Sequence, residues 1–273
     1  MRRQSRTLCP MLIRPDNLTR RGIPAAFSTR AGGVSLPPFD SLNFGNPGEL
    51  PPEVSRDPAQ NIAANFRIVA QNLACPDRSI VQVHQVHGSA VHLHQPANPA
   101  SPWDRTLAGS DPKADAVVTA DPSALIAIRI ADCTPILLAT PDGLIVAAVH
   151  AGWRGVISGV AREAVRVMRD QGADQIIAAI GPCIGPDQFE VGPEVLTEFR
   201  HAFGAAAPVR ERAGSKGDVD LQRALELQLR DEGIDDIEVC RACTASDRRF
   251  FSHRRDKGIT GRMIGIIGPR KRD

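Results

Sequence analysis

Three short segments of this 273-residue chain carry side chains able to act together: Gln85-Val86-His87-Gly88, Ala131-Asp132-Cys133 and His150-Ala151-Gly152-Trp153-Arg154-Gly155. Each sits at the edge of an apolar stretch and offers one nitrogen or sulfur donor. One Cys and two His make a three-donor zinc set that leaves a fourth tetrahedral position for water or substrate, whereas a structural zinc site fills all four with protein. Magnesium and calcium prefer oxygen donors, while copper binds imidazole and thiolate more tightly than zinc does. Singly, the same residues have plainer readings: Cys133 as a core thiol, His150 as the cap of a turn. A second chemistry needs no metal, with Cys133 as nucleophile and His150 as its base. Asp132 is the local carboxylate, suited either to shuttling a proton or to orienting His87 or His150.

The surrounding elements must bring these residues together. Residues 80–86 alternate apolar and polar side chains, a strand that delivers His87 at its end, and 91–93 continues after a turn at Gly88. Four short apolar runs, 116–119, 124–130, 135–139 and 144–149, read as strands of a well-buried sheet. Cys133 and His150 lie 17 residues apart and bracket two of those runs. A strand, turn and strand returns the chain to the same sheet end, which makes their convergence natural.

Upstream, a strand over 25–29 runs into the turn Arg30-Ala31-Gly32-Gly33, and 34–58 reads as a Pro-, Gly- and Asn-rich loop. Asp57-Pro58 opens a helix through Leu73, with Ile62, Phe66, Val69 and Leu73 on one face. Residues 95–113, polar and Pro-rich, read as a mobile loop. Past the third segment the pattern predicts a tight turn at 152–155, a helix over 157–168 and a strand over 176–180. A Gly/Pro-punctuated loop over 181–186 follows. Helices over 195–203 and 221–232, separated by a polar loop around 214–218, precede strands over 237–240 and 263–267. Strands in short mixed runs, without strict alternation with helices, define an α/β (α+β) chain rather than a doubly wound one.

Composition narrows the classes. A net charge of +2 gives no global field for nucleic acid or an anionic membrane. No apolar run approaches the length of a bilayer span, and the basic first 21 residues lack the apolar core of a signal peptide. The expectation is therefore a cytoplasmic protein. Six Cys, at 9, 75, 133, 183, 240 and 243, follow no compact disulfide spacing and read as thiols. Basic residues are nearly all Arg, which suits planar recognition of phosphates and carboxylates.

Ser28-Thr29-Arg30-Ala31-Gly32-Gly33-Val34-Ser35, followed by Ser41-Leu42-Asn43, resembles the opening of the YfiH family, also called the multicopper polyphenol oxidase or laccase-domain family. The three donor segments match that family's ligand motifs. Ala179-Ile180-Gly181-Pro182-Cys183-Ile184-Gly185, Phe189-Glu190-Val191-Gly192, Cys243-Thr244 and Phe250-Phe251-Ser252-His253-Arg254-Arg255-Asp256 extend the match. The resemblance runs from about residue 25 to residue 267 and implies one catalytic domain over 1–273. It implies an α/β sandwich of mixed sheets flanked by helices, related to bacterial toxins that deamidate with a Cys-His pair. It implies His87, Cys133 and His150 as the metal set. Activities described for the family differ: zinc-dependent phosphorolysis of purine nucleosides with adenosine deamination and methylthioadenosine cleavage, copper-dependent phenol oxidation, or editing of peptidoglycan precursors.

The residues weigh unequally on these activities. A multicopper oxidase needs several centres built mostly from His, and this chain has seven His, at 84, 87, 92, 94, 150, 201 and 253. Phosphorolysis needs phosphate held beside the ribose C1′, a task for the bidentate guanidinium. Arg30 in the Gly-rich turn and Arg154 in the third segment are the candidates, with Asn43 for a sugar hydroxyl. Deamination needs an activated water at purine C6 and a carboxylate shuttle, for which Asp132 is the candidate. The expectation is thus a zinc enzyme, with copper as the other metal the donors accept. Its substrates are purine nucleosides and phosphate, and it works as a monomer or homodimer. A Cys-His hydrolase editing peptidoglycan precursors and a copper-dependent polyphenol oxidase are the alternatives. A non-catalytic zinc scaffold would require a fourth protein ligand.

Overall fold

The computed structural model describes residues 10–48, 50–95 and 111–271. In chain order these form β1 (Leu12–Ile13), α1 (Asp16–Thr19), β2 (Ala25–Ser28), α2 (Ala59–Asn72), β3 (Ser79–Val81), β4 (Val91–His94), β5 (Ala116–Thr119), β6 (Ala124–Ile130), β7 (Thr134–Ala139) and β8 (Val146–Ala151). They continue with α3 (Trp153–Ile157), α4 (Val160–Asp170), β9 (Ile177–Ile180), β10 (Glu190–Val191) and α5 (Pro193–Phe203). Then come β11 (Val209–Glu211), β12 (Gly217–Val219), α6 (Leu221–Asp231), β13 (Ile237–Val239) and β14 (Met263–Ile267).

β2, β5, β7, β8, β9 and β14 are buried along their whole length, which explains why they read as unbroken apolar runs rather than alternating ones. They belong to two mixed sheets, ordered β1-β2-β14-β6-β3 and β13-β9-β7-β8-β5-β4. Alternate side chains of β7 serve two cores. Leu137 and Ala139 face Phe27, Ile126, Ile128 and Ile267 of the other sheet. Ile136 and Leu138 face outward onto Val160, Ala164, Met168, Phe199, Leu225 and Leu229 of α4, α5 and α6. On the far side, Phe66, Val69, Ala70 and Leu73 of α2 cover Ala26, Leu125, Ala127 and Ile266. The result is a four-layer sandwich, helix on sheet on sheet on helices, of the mixed-sheet kind expected.

Four local departures have physical causes. The strand expected over 80–86 ends at Val81, because the chain then leaves β6 and His84 bridges to Lys113 instead. Gln85 takes over the pairing with its side chain, donating Nε2 to Arg129 O and accepting Arg129 N–H, both at 2.8 Å. The tight turn expected at 152–155 is the helix α3. The helix expected over 157–168 is broken at Ser158-Gly159, where Gly159 takes φ +77° before α4 begins. The polar stretch around 214–218 contains β12, which joins β10 and β11 in a small antiparallel sheet. That sheet is tied by Arg210 and Arg212 onto buried Asp218 at 2.7 and 2.8 Å. Most of the expected loop over 95–113 lies outside the described residues, as does Cys9.

Candidate metal centre

The β7–β8 hairpin sets two of the three donors. Its register pairs Pro135 with His150 and Thr134 with Ala151, so Cys133, just before β7, meets the end of β8. His87 arrives from the loop after β3 in the left-handed region, φ +61°, and Asp132 has φ +84°. Two such non-glycine residues at one site mark backbone held by its surroundings. Gly152 lets the third segment lie close: a Cβ there would stand 3.1 Å from Cys133 Sγ and 3.2 Å from His87 Cδ2. One donor atom each from His87, Cys133 and His150 lies within 4.8 Å of the others, the one such cluster among the described residues. The two imidazoles meet edge to face, with centroids 4.9 Å apart.

Asp115, fully buried, wires the site. Its Oδ1 accepts the His87 N–H at 2.9 Å and lies 2.8 Å from His150 Nδ1. Its Oδ2 accepts the N–H groups of Gly88 at 2.7 Å and Val86 at 3.2 Å. Burial works against the charge, but the His150 and backbone hydrogen bonds prevail and hold the carboxyl below the usual range. A carboxylate on Nδ1 leaves Nε2 of His150 as the nitrogen free to ligate a metal.

Burial pushes the Cys133 thiol up, yet His150 and His87 more than offset it and bring it down to about 6. Burial likewise opposes charge on His150, but the Cys133 thiolate and Asp115 raise it to about 9. The donor set is thus a thiolate, an imidazole oriented by a carboxylate, and a second imidazole at the surface. These are the atoms zinc takes, and a metal would replace the proton shared by the Cys-His pair.

Two cavities meet at the trio and share His87, Ala131, Cys133 and His253 as wall. One, of about 300 Å³, is lined by Trp153, Ile184, Phe189, Leu221, Arg154 and Arg254 among others. The other, of about 570 Å³, is lined by Asn46, His84, Gln85, Arg129, His150 and Arg262 among others. A larger groove, about 850 Å³, opens at the opposite end of β6 and β7 around Arg78, Thr140 and Arg270, and shares no residue with the trio.

The remaining expected residues divide. Arg154 lines the smaller cavity with its guanidinium 4.3 Å over the Trp153 ring. Arg30 reaches neither cavity beside the trio: it is bonded to Asp40 O and Oδ1 at 2.8 and 2.9 Å and stacks over Phe251. Asn43 is fully buried, donating to Asp57 and accepting the N–H groups of Gly45 and Arg262. Asp132 borders the smaller cavity, but its oxygens are taken by Thr244 Oγ1 at 2.6 Å, Ser252 Oγ at 3.0 Å and the Arg254 N–H at 2.7 Å. It fastens loops, and the carboxylate in contact with His87 and His150 is that of Asp115. Sequence reading missed Asp115, Arg129, Arg262 and His253 as lining or supporting groups. Only His253 sat in a motif already singled out.

A four-layer mixed-sheet sandwich with one thiolate and two imidazoles converging at a strand-end cleft, and room beside them, defines the class. The chain belongs to the family described as multi-copper polyphenol oxidoreductase laccase, whose profile matches residues 24–270. It is 37% identical over 265 residues to the purine nucleoside phosphorylase of Deinococcus radiodurans, covering 96% of this chain and 94% of that one. It is 37% identical over 258 residues to purine nucleoside phosphorylase YfiH of Escherichia coli, covering 94% and 98%. The crystal structure of YlmD from Geobacillus stearothermophilus superposes with a TM-score of 0.83 at 32% identity, covering 99% of this chain and 98% of that one. No helix among the described residues is long and apolar enough to cross a membrane.

Proposed function

We propose that the chain is a zinc-dependent purine nucleoside phosphorylase. It splits adenosine, inosine, guanosine or methylthioadenosine with phosphate, and it also deaminates adenosine. The observation that carries the reading is the cluster of His87, Cys133 and His150, of which His87 and Cys133 stand at the wall shared by two cavities and His150 lines the larger. The phosphorylase names of relatives that align over nearly the whole chain support it. Zinc held by those three residues would supply Lewis acidity beside both cavities. Asp115 keeps His150 in the ligating tautomer, and Asp132 locks the loops behind Cys133. Trp153 and Phe189 offer ring faces for a purine, and exposed His253 stands where a proton can reach the departing base.

The three-donor cluster argues against a multicopper centre, because among the described residues no second group of donors accompanies it. Copper as a substitute at this single site is a matter for metal analysis. The test supplies inosine or adenosine with and without phosphate and follows ribose-1-phosphate. Phosphate-dependent product is expected; no product, or base released equally without phosphate, overturns the reading. The depressed Cys133 thiol beside His150 favours one second reading, a metal-free Cys-His hydrolase of amide bonds in cell-wall precursors. Retained amide hydrolysis after chelation, lost in Cys133→Ala, is its signature.

A further inference from the structure

We propose that the cavity where Arg78 and Lys271 meet, at the end of the molecule away from the donor trio, binds a small phosphate-class oxyanion. The site does not depend on the phosphorylase reading, since neither cation borders the cavities beside the trio.

Its foundation is a buried cation without a counter-ion. Arg78, the residue before β3, is 5% exposed. Its guanidinium is anchored by a hydrogen bond from Nη1 to Pro269 O at 2.7 Å. The Nε–H is shut off from solvent and meets no acceptor, and no carboxylate pairs with the side chain among the described residues. Interior arginines are almost always paired, and buried N–H groups nearly always find an acceptor. A carbonyl partner positions a guanidinium without neutralising it.

Arg78 borders two spaces of different character. The groove of about 850 Å³ suits an anion poorly, because Asp77 and Asp142 share its rim. The other, of about 480 Å³, has no Asp or Glu among its described lining residues. Exposed Lys271 and the thiol of Cys75 stand on its wall with Arg78. Burial pushes that thiol up, and Arg78 and then Lys271 pull against it, so both cations act on one point of the wall. A thiol kept neutral by burial sets no charge against an anion. Arg270 adds its stem, with Cδ 3.8 Å from where a Cβ on Gly22 would stand.

The helix α2 ends beside this cavity, and a helix C-terminus repels anions through its last carbonyls. Here those carbonyls are taken. Val69 O accepts the Leu73 N–H at 2.9 Å, Ala70 O the Cys75 N–H at 2.8 Å and Gln71 O the Ala74 N–H at 3.0 Å. Asn72 O accepts Arg14 Nη2 at 2.5 Å. The cations therefore dominate the local field. A planar carboxylate lines up with one guanidinium fork, whereas a tetrahedral oxyanion turns oxygens toward Arg78 and Lys271 together.

The test titrates inorganic phosphate into metal-loaded, isotope-labelled full chain at constant ionic strength, read by NMR. The amides of Gly22, Ala74 and Lys271 report this cavity, and those of His87 and Gly152 report the trio. Saturable shifts are expected in the first group. Lys271→Ala alters an exposed side chain and should weaken that binding by about three- to tenfold. Arg78→Gln should remove the saturation. Arg78→Lys keeps the charge but loses the fork, and should lie between; it serves if Arg78→Gln fails to fold. Shifts at the trio should be the same in all these variants, which separates phosphate held there from phosphate held at Arg78. No saturable shift at Gly22, Ala74 and Lys271, the same shifts with chloride, or wild-type affinity in Lys271→Ala overturns the site. Saturation at these amides with none at the trio leaves the site standing and counts against the phosphorylase reading alone.

Discussion

Replacing Asp115 by Asn keeps its shape and removes only charge and one acceptor, so it isolates the wiring of the centre. The carboxylate serves two groups at each oxygen: His87 N–H and His150 Nδ1 at Oδ1, Gly88 and Val86 N–H at Oδ2. If the Asn NH₂ takes the Oδ2 position, it faces two backbone donors. If it takes the Oδ1 position, it faces His87 N–H and forces His150 Nδ1 to accept, which moves the imidazole proton to Nε2, the ligating atom. Either orientation orphans at least one N–H, costing about 1–3 kcal/mol. In a chain of this size that lowers the melting temperature by roughly 2–10 °C. Loss of a carboxylate behind a metal-binding His typically weakens metal binding about 10–100-fold, or about 1.4–2.7 kcal/mol. Competition with a chromophoric chelator, alongside thermal unfolding, measures both. Zinc affinity within about threefold of wild type, with an unchanged melting temperature, would refute the assigned role.

His87→Ala and His150→Ala should each lose most of the bound zinc, read by elemental analysis; full occupancy in both puts the metal elsewhere. In chelated protein the thiolate of Cys133 persists down to about 6, well below an ordinary thiol. Its alkylation by iodoacetamide should therefore fall only as pH drops through about 6, and a midpoint near the free-thiol value of about 8.5 contradicts the pairing with His150. Gly152→Ala would press a methyl 3.1 Å from Cys133 Sγ, closer than comfortable packing allows. Zinc affinity and turnover should drop severalfold with little change in melting temperature, and an unaffected centre means that the loop yields.

Legibility followed burial. Strands covered on both faces, such as β6, β7 and β8, announced themselves as apolar runs, and α2 by its one-sided stripe. The donors stood out because Cys and His at strand ends are chemically conspicuous. Asp115 did not, since one acid at the head of a strand looks like any turn residue until its four bonds are seen. Arg129 read as one polar interruption in a run, and Arg262 as the basic residue before another. The choice of Arg30 followed its Gly-rich turn, but proximity to glycine says nothing of Asp40, ten residues on, which takes the charge. The β10–β12 sheet stayed hidden because its stability comes from Arg-Asp pairs rather than apolar periodicity.

Asp132 has a consequence for the order in which the molecule assembles. Its carboxylate binds Thr244, Ser252 and Arg254, which lie 112, 120 and 122 residues along the chain. Closing spans of that length is entropically unfavourable until local strands and helices have already shortened the effective path. The β7–β8 hairpin, with its adjacent partners, forms early and carries Cys133 and His150 with it. The Asp132 clasp comes late, and the loop around 252–254 that walls the cleft comes with it. By the same reasoning this loop is among the first parts to release. Amide exchange at Arg254 should report that opening ahead of the β7–β8 core, as a clock for the cleft that runs independently of global unfolding.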